Sequence, residues 1–286
     1  LAGSEGHNLA GDRSESNFTP SVSLQYIMND DVMLYASAAT GFKSGGFDAR
    51  ANVITSFEFE EEEATSFELG AKTTLLDGAA EVNAALYYTT YENLQTSQFD
   101  GTLGFVVGNA EEAVVHGIEV DGRWALSEGL TLSGAVGYLD FEYKKFTSGN
   151  CYHDQPDPDG DDLCDYTGRE SQYTPHLTGN ISLDHYLSLG EMELHSTVDA
   201  TYTSEYFNHP NLDPRFEQAG YAKINARVAL EAESWTVALV GKNLTDKQTL
   251  SYTNTAPLSA STLGLPAYYG LVEAPRTIAI QGTYRY

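Results

Sequence analysis

The 286 residues contain no long apolar run, although 41% of them are hydrophobic. A membrane-crossing helix, which needs about 20 consecutive apolar residues, is therefore excluded. Positive charge is scarce. Fifteen Lys and Arg stand against 41 Asp and Glu, a net charge of -26, and such a surface repels phosphate backbones, so no nucleic acid is expected as a partner. No basic, apolar and small-residue succession follows Leu1, so the expectation is a chain processed or truncated rather than one carrying an export signal. Catalytic signatures are missing as well: there is no nucleophile elbow, phosphate loop or Cys-x-x-Cys pair. The seven histidines, His7, His116, His153, His176, His185, His195 and His209, include no pair at zinc-ligand spacing. An enzyme is not expected. Cysteine is limited to Cys151 and Cys164, and the segment between them is rich in Asp, Pro and Gly rather than in the basic residues that activate thiols. That composition predicts a disulfide staple for an oxidising compartment.

What the sequence does hold is a period of two. Ile224, Ala226, Val228, Leu230 and Ala232 alternate with Lys223, Asn225, Arg227, Ala229 and Glu231, the mark of a β-strand with two unlike faces. The design returns at Phe67, Leu69 and Ala71, at Val82, Ala84, Leu86 and Tyr88, at Ile118, Val120 and Trp124, at Met192, Leu194, Val198 and Ala200, and at Ile278, Ile280 and Tyr284. Roughly eleven such segments are expected, most near the ~9–11 residues with which a tilted strand crosses hydrocarbon. Short turns at 28–31, 76–78, 127–129, 189–190 and 233–234 alternate with much longer loops, the habit of outer-membrane barrels. Tyrosine numbers 19 against 2 Trp, and its ring and hydroxyl suit an oil–water interface. The fold class expected is all-β, a transmembrane antiparallel β-barrel. A soluble antiparallel sandwich alternates equally well, but against it stand the strand lengths and polar faces that carry Glu, Asp, Lys and Arg at mid-strand and so suit a wet or plugged lumen. Counting turns back from the last strand places Leu1 to about Ser16 in an outer loop and leaves an odd strand total. An open edge leaves N–H and C=O groups unsatisfied in oil, so further strands are expected from elsewhere.

The stretch from Leu34 to Phe47, with Gly41-Phe42-Lys43 before a loop, resembles a strand of TonB-dependent receptors. Glu63 and the run Ser66-Phe67-Glu68-Leu69-Gly70-Ala71-Lys72 are similar to that family's next strand. The likeness continues through Ala85 to Gln95, His116 to Val120, Gly241 to Lys247 and Pro275-Arg276-Thr277, and the closing Ile278, Ile280, Tyr284 and Tyr286 resemble a final-strand insertion signal. The resemblance implies a barrel of about 22 strands in the bacterial outer membrane, with residues 1–286 supplying its C-terminal half. It also implies a plug and a TonB box, neither of which these residues contain. Function follows as an expectation: active uptake of a scarce nutrient such as a ferric siderophore, cobalamin or a glycan. The partners implied are the TonB–ExbB–ExbD complex acting on the plug and box, a small-molecule ligand, outer-membrane lipids and lipopolysaccharide, and a surface lipoprotein or neighbouring barrel. The alternatives are a passive porin-like or adhesive barrel without a plug, and a barrel enzyme.

Among the loops, Cys151–Cys164 encloses twelve residues, and a bridge there is worth roughly 3 kcal/mol through lost unfolded-state freedom. Within it Asp157, Asp159 and Asp161 stand at alternate positions before and after Gly160, as Ca²⁺ ligands do in tight loops; a solvated acidic loop explains them too. The run Glu58-Phe59-Glu60-Glu61-Glu62-Glu63 reads as a loop re-entering a strand. His209-Pro210-Asn211-Leu212 resembles the Asn-Pro-Asn-Leu box of haem receptors, without the companion Arg-Ala-Pro near Gly41-Phe42-Lys43.

Overall fold

A computed structural model describes residues 9–51, 54–99, 105–157, 160, 162–256, 259 and 267–286. Eleven strands form a single antiparallel sheet in chain order: β1 (Ser21–Asn29), β2 (Val32–Lys43), β3 (Glu62–Leu75), β4 (Ala80–Phe99), β5 (Phe105–Ser127), β6 (Leu130–Lys145), β7 (Leu177–Leu189), β8 (Met192–Thr203), β9 (Tyr221–Glu231), β10 (Trp235–Lys242) and β11 (Thr277–Tyr284). All five expected short turns join neighbours at one end of the sheet, and the long loops emerge at the other. Ala232 falls in the turn after β9, one residue beyond the alternation that it was expected to extend. Among the described residues, β1 and β11 each pair on one side only.

The register shows why alternation survives across so many strands. Leu69 pairs with Leu86, Leu86 with Ile118, Ile118 with Tyr138 and Tyr138 with Leu177, so one transverse row is wholly apolar. Each member is exposed, from 38% to 57%, which is the position of a side chain meeting lipid rather than a protein core. On the other face Lys72 pairs with Asn83, Asn83 with Asp121, and Thr201 with Lys223. That face is stitched by hydrogen bonds: the Asn83 amide donates to Asp121 at 2.9 Å, Asn225 to Asp199 at 2.7 Å and the Thr197 hydroxyl to Asp184 at 2.7 Å. A one-residue slip would turn every one of these groups into oil, so register is fixed by both faces together.

Two inward tyrosines lie flat over glycines on the next strand. Tyr35 pairs with Gly70 and Tyr87 with Gly117, and in each case a Cβ on the glycine would be built into the tyrosine ring. The Tyr35 hydroxyl then donates to Glu68 at 2.6 Å.

Strand length departs from expectation in one region. β4, β5 and β6 have 20, 23 and 16 residues, so β4 and β5 are roughly twice the ~9–11 needed to cross the membrane. Their surplus stands beyond the bilayer at the long-loop end. At the border Asn93 adopts φ 52° and register is kept from Glu92–Glu112 to Leu94–Ala110, while on the other side of β5 a bulge shifts the pairing between Ala113–Tyr143 and Glu112–Lys145. The packed core sits on this projection: Ala110, Ala113, Tyr143, Phe146, Cys164, Tyr166 and Leu212 form one buried cluster.

Candidate functional site

The long loops after β6, β8 and β10 meet over the projecting ends of β4 to β6. Cys151 and Cys164 are joined, with Cα atoms 5.1 Å apart, and the backbone pairs Gly149–Asn150 with Leu163–Cys164 beside the bridge. Tyr166 is 1% exposed, and its hydroxyl faces the carbonyl oxygens of Asn150 at 2.5 Å and Asn211 at 2.7 Å, two acceptors sharing one proton. Loss of water holds this phenol well above its ordinary range. The Phe146 ring meets it edge-on at 5.6 Å, and the Arg169 guanidinium lies 5.0 Å from its centroid. Gly149 lets the Tyr166 ring approach, since a Cβ there would stand 2.9 Å from it.

The second loop turns at His209–Leu212, where the Leu212 N–H donates to the His209 carbonyl at 3.0 Å. Leu212 has φ 51°, unusual for a branched residue, and is completely buried, so packing holds a backbone that leucine would otherwise avoid. His209 is buried too. Its Nδ1 lies 3.3 Å from the Asn211 N–H and 2.6 Å from the Asn211 side-chain oxygen position, and Nε2 lies 3.1 Å from Asn254 Oδ1. Burial pushes this imidazole below its ordinary value, towards the neutral form. The likeness to a haem-receptor box therefore ends in a structural turn, with both ring nitrogens engaged by the protein.

Asp213 caps the 3₁₀ turn Pro214–Phe216, accepting the Arg215 N–H at 2.9 Å and the Arg215 Nε at 2.8 Å. Arg215 reaches the His153 carbonyl at 2.5 Å, with its guanidinium 5.9 Å from the Tyr152 ring and 4.8 Å from the Tyr268 ring. One arginine thus ties together the disulfide loop, the His209 loop and the hairpin Leu250–Thr255/Tyr268–Val272.

A second knot joins the loop after β2 to the projecting hairpin. The Asp48 carboxylate, 6% exposed, accepts the Val107 N–H at 2.9 Å and both Nε and Nη2 of Arg50, at 2.9 and 2.7 Å. The Arg50 guanidinium holds it well below the usual carboxylate range. Alongside, Arg13 is ringed by Glu15, Glu58, Glu60 and Glu61, so the acidic run packs around one cation from the segment expected in an outer loop.

Of the expected site residues, the two cysteines are brought together. Asp157 spends its carboxylate on its own loop, accepting the Gly160 N–H at 2.9 Å and the Asp162 N–H at 2.8 Å. Asp159 and Asp161 lie outside the described residues, and so do Leu1–Asn8, the first half of the stretch from Leu1 to about Ser16 expected in an outer loop. Tyr166 and Asp48 carried no signal in the sequence, and Leu212 entered only as the end of the His209–Leu212 likeness, which did not mark it as buried. Asp213-Pro214 carried a signal, as a capping residue followed by a proline at the first helical position. The cap offers amide groups, aromatic faces and charged rims held rigidly, a chemistry of recognition.

The model of the family TonB dependent receptor-like, beta-barrel matches residues 2–244. The metal-pseudopaline receptor CntO of Pseudomonas aeruginosa (strain UCBPP-PA14) is 31% identical over 128 residues, 44% of this chain and 17% of that protein. The ferrioxamine B receptor of Salmonella typhimurium (strain LT2) is 26% identical over 140 residues, 49% of this chain and 19% of that protein. Among solved structures, the ferric yersiniabactin uptake receptor FyuA from Yersinia pestis superposes with a TM-score of 0.73 at 18% identity, covering 92% of this chain and 36% of that one. The ferric citrate transporter FecA gives 0.65 at 19%, covering 93% and 38%. The chain thus spans under a fifth of these curated relatives and little more than a third of these solved structures. With an oil-facing row of side chains, a hydrogen-bonded inner face and a family match across most of its length, the chain belongs to the TonB-dependent receptor-like β-barrels, proteins of the outer membrane.

Proposed function

We propose that this chain forms wall and outer loops of a receptor that actively imports a metal chelate, a ferric siderophore before cobalamin or a glycan. The observation that carries the reading is the cap. A passive pore has no need for strands of 20 and 23 residues that carry a disulfide-stapled, fully packed surface beyond the membrane. Relatives named for metal-pseudopaline and ferrioxamine B support the ligand class. On this reading β1 and β11 meet further strands of the same receptor, because their free edges would cost several kcal/mol per unpaired group in hydrocarbon. Release of the ligand inward draws on TonB, ExbB and ExbD through a plug and a TonB box supplied by the rest of the receptor. The test is uptake of radiolabelled iron chelates by iron-starved cells expressing the full-length gene, with and without TonB. Accumulation that requires TonB is expected. Entry of small solutes regardless of size class and of TonB would replace this reading with a passive pore.

A further inference from the structure

On the oil-facing side, near the short turns, lies an open cavity of about 500 Å³. Leu75, Val82, Trp124, Leu132, Val136 and Ile181 wall it, and Gly122 and Gly134, which pair with one another, form its floor. Strand parity turns the side chains of all six walls to lipid, and Trp124 remains 45% exposed. Roughly seventeen groups the size of a water or methylene, at ~30 Å³ each, fill that volume, which matches one extended acyl chain. A smooth barrel wall has no such recess. This one exists because two paired glycines leave a gap between flanking Trp, Leu and Val side chains.

The rim carries a second, independent feature. The turns at this end hold Asp30, Asp31, Asp77, Glu128, Glu191 and Glu233, and none of them holds a Lys or Arg. Asp77, two residues beyond Leu75, and Glu128, next after Ser127, lie in turns that close strands walling the cavity, whereas Lys72 and Arg123 project from the inner face. Arg285 stands at the far edge of the sheet, where its N–H donates to Ser234. A head group with net negative charge would meet repulsion at this border, and an ammonium would meet attraction.

We infer that this recess is a specific lipid site that holds one acyl chain of an aminophospholipid from the inner leaflet, with the ammonium of its head group at Asp77 and Glu128. The inference needs only the barrel's place in the membrane and stands whatever ligand the receptor imports. The test uses the full-length receptor in detergent, stripped of lipid and then offered ethanolamine or glycerol phospholipids with identical acyl chains, with bound lipid counted by native mass spectrometry. One ethanolamine lipid should be retained per receptor, several-fold in preference to the glycerol form. Val136→Trp, which fills the recess without touching the backbone, should abolish retention, and Val82→Phe serves as a second filling variant. Val198→Trp, on the same face but outside the recess, should leave retention intact. Asp77→Lys with Glu128→Lys should reverse the head-group preference. Undiminished retention in both filling variants, or equal retention of glycerol lipid by the unaltered receptor, overturns the assignment.

Discussion

Truncating Leu212 to alanine tests whether the cap is a cooperative unit separable from the wall. The side chain is completely enclosed by Tyr166, Phe146 and their neighbours, and its backbone already sits at φ 51°, which alanine tolerates no better. The cost is therefore that of the lost contacts and the cavity left behind, about 3 kcal/mol for a fully buried leucine. If the cap opens locally, its open population rises by roughly 100-fold, since each ~1.4 kcal/mol is a factor of ten. Hydrogen exchange on the detergent-solubilised full receptor reads this at the Tyr166 amide, bonded to the Phe146 carbonyl at 2.7 Å, and at the Asn208 amide, bonded to Phe216 at 3.0 Å. Amides in the β8–β9 ladder, such as those around Val198 and Ala226, should keep their rates. Leu212→Met, which conserves volume, should cost less than about 1.5 kcal/mol. A change below about threefold at Tyr166, or an equal loss of protection in β8 and β9, would refute the argument that the cap has an interior of its own.

Gly70→Ala should lower the resistance of the folded barrel to urea by about 1–3 kcal/mol, because the methyl is built into Tyr35. Tyr35→Ala should recover that loss. At Gly117 the added Cβ also meets the Tyr138 carbonyl, so Tyr87→Ala should fail to rescue Gly117→Ala, and rescue there would show the backbone contact to be unimportant. The buried His209 gives the cap a pH dependence. Its folded-state value lies below the ordinary ~6.5, so stability is complete above that point and is lost as pH falls from it towards the depressed value. Protease cleavage of the cap should rise between pH 7.5 and 5.5, and His209→Gln, which gains no proton, should flatten the rise. An identical slope in the variant would assign the effect elsewhere.

Alternation was readable because membrane strands obey one local rule, with neighbours i and i+2 sharing a medium. Ile224, Ala226, Val228 and Leu230 needed no knowledge of their partners to be placed on the oil side. The turns were equally local, since Leu76-Asp77-Gly78 and Leu189-Gly190 carry their own conformational bias. The length of β4 and β5 was harder to see. Beyond Asn93 the strands leave the bilayer, and residues such as Gln95 and Asn109 answer to loops rather than to lipid, through bonds to Glu60 and Ser44. The cap was illegible for the same reason. Tyr166 and Leu212 are buried in a cluster whose members run from Ala110 to Leu212, and nothing in their own neighbourhood marks them as interior. The cysteines were the exception, because composition between two thiols is a local property.

Three loops that hang from separate hairpins share one arginine, Arg215, and two of them also share the interior around Tyr166. None of them has a footing of its own. Exchanging one such loop for that of a related barrel would import a surface whose foundations remain behind, whereas moving all three together transplants a finished piece. Substitutions on the outward rim should therefore be tolerated singly, and alterations beneath it only as a set.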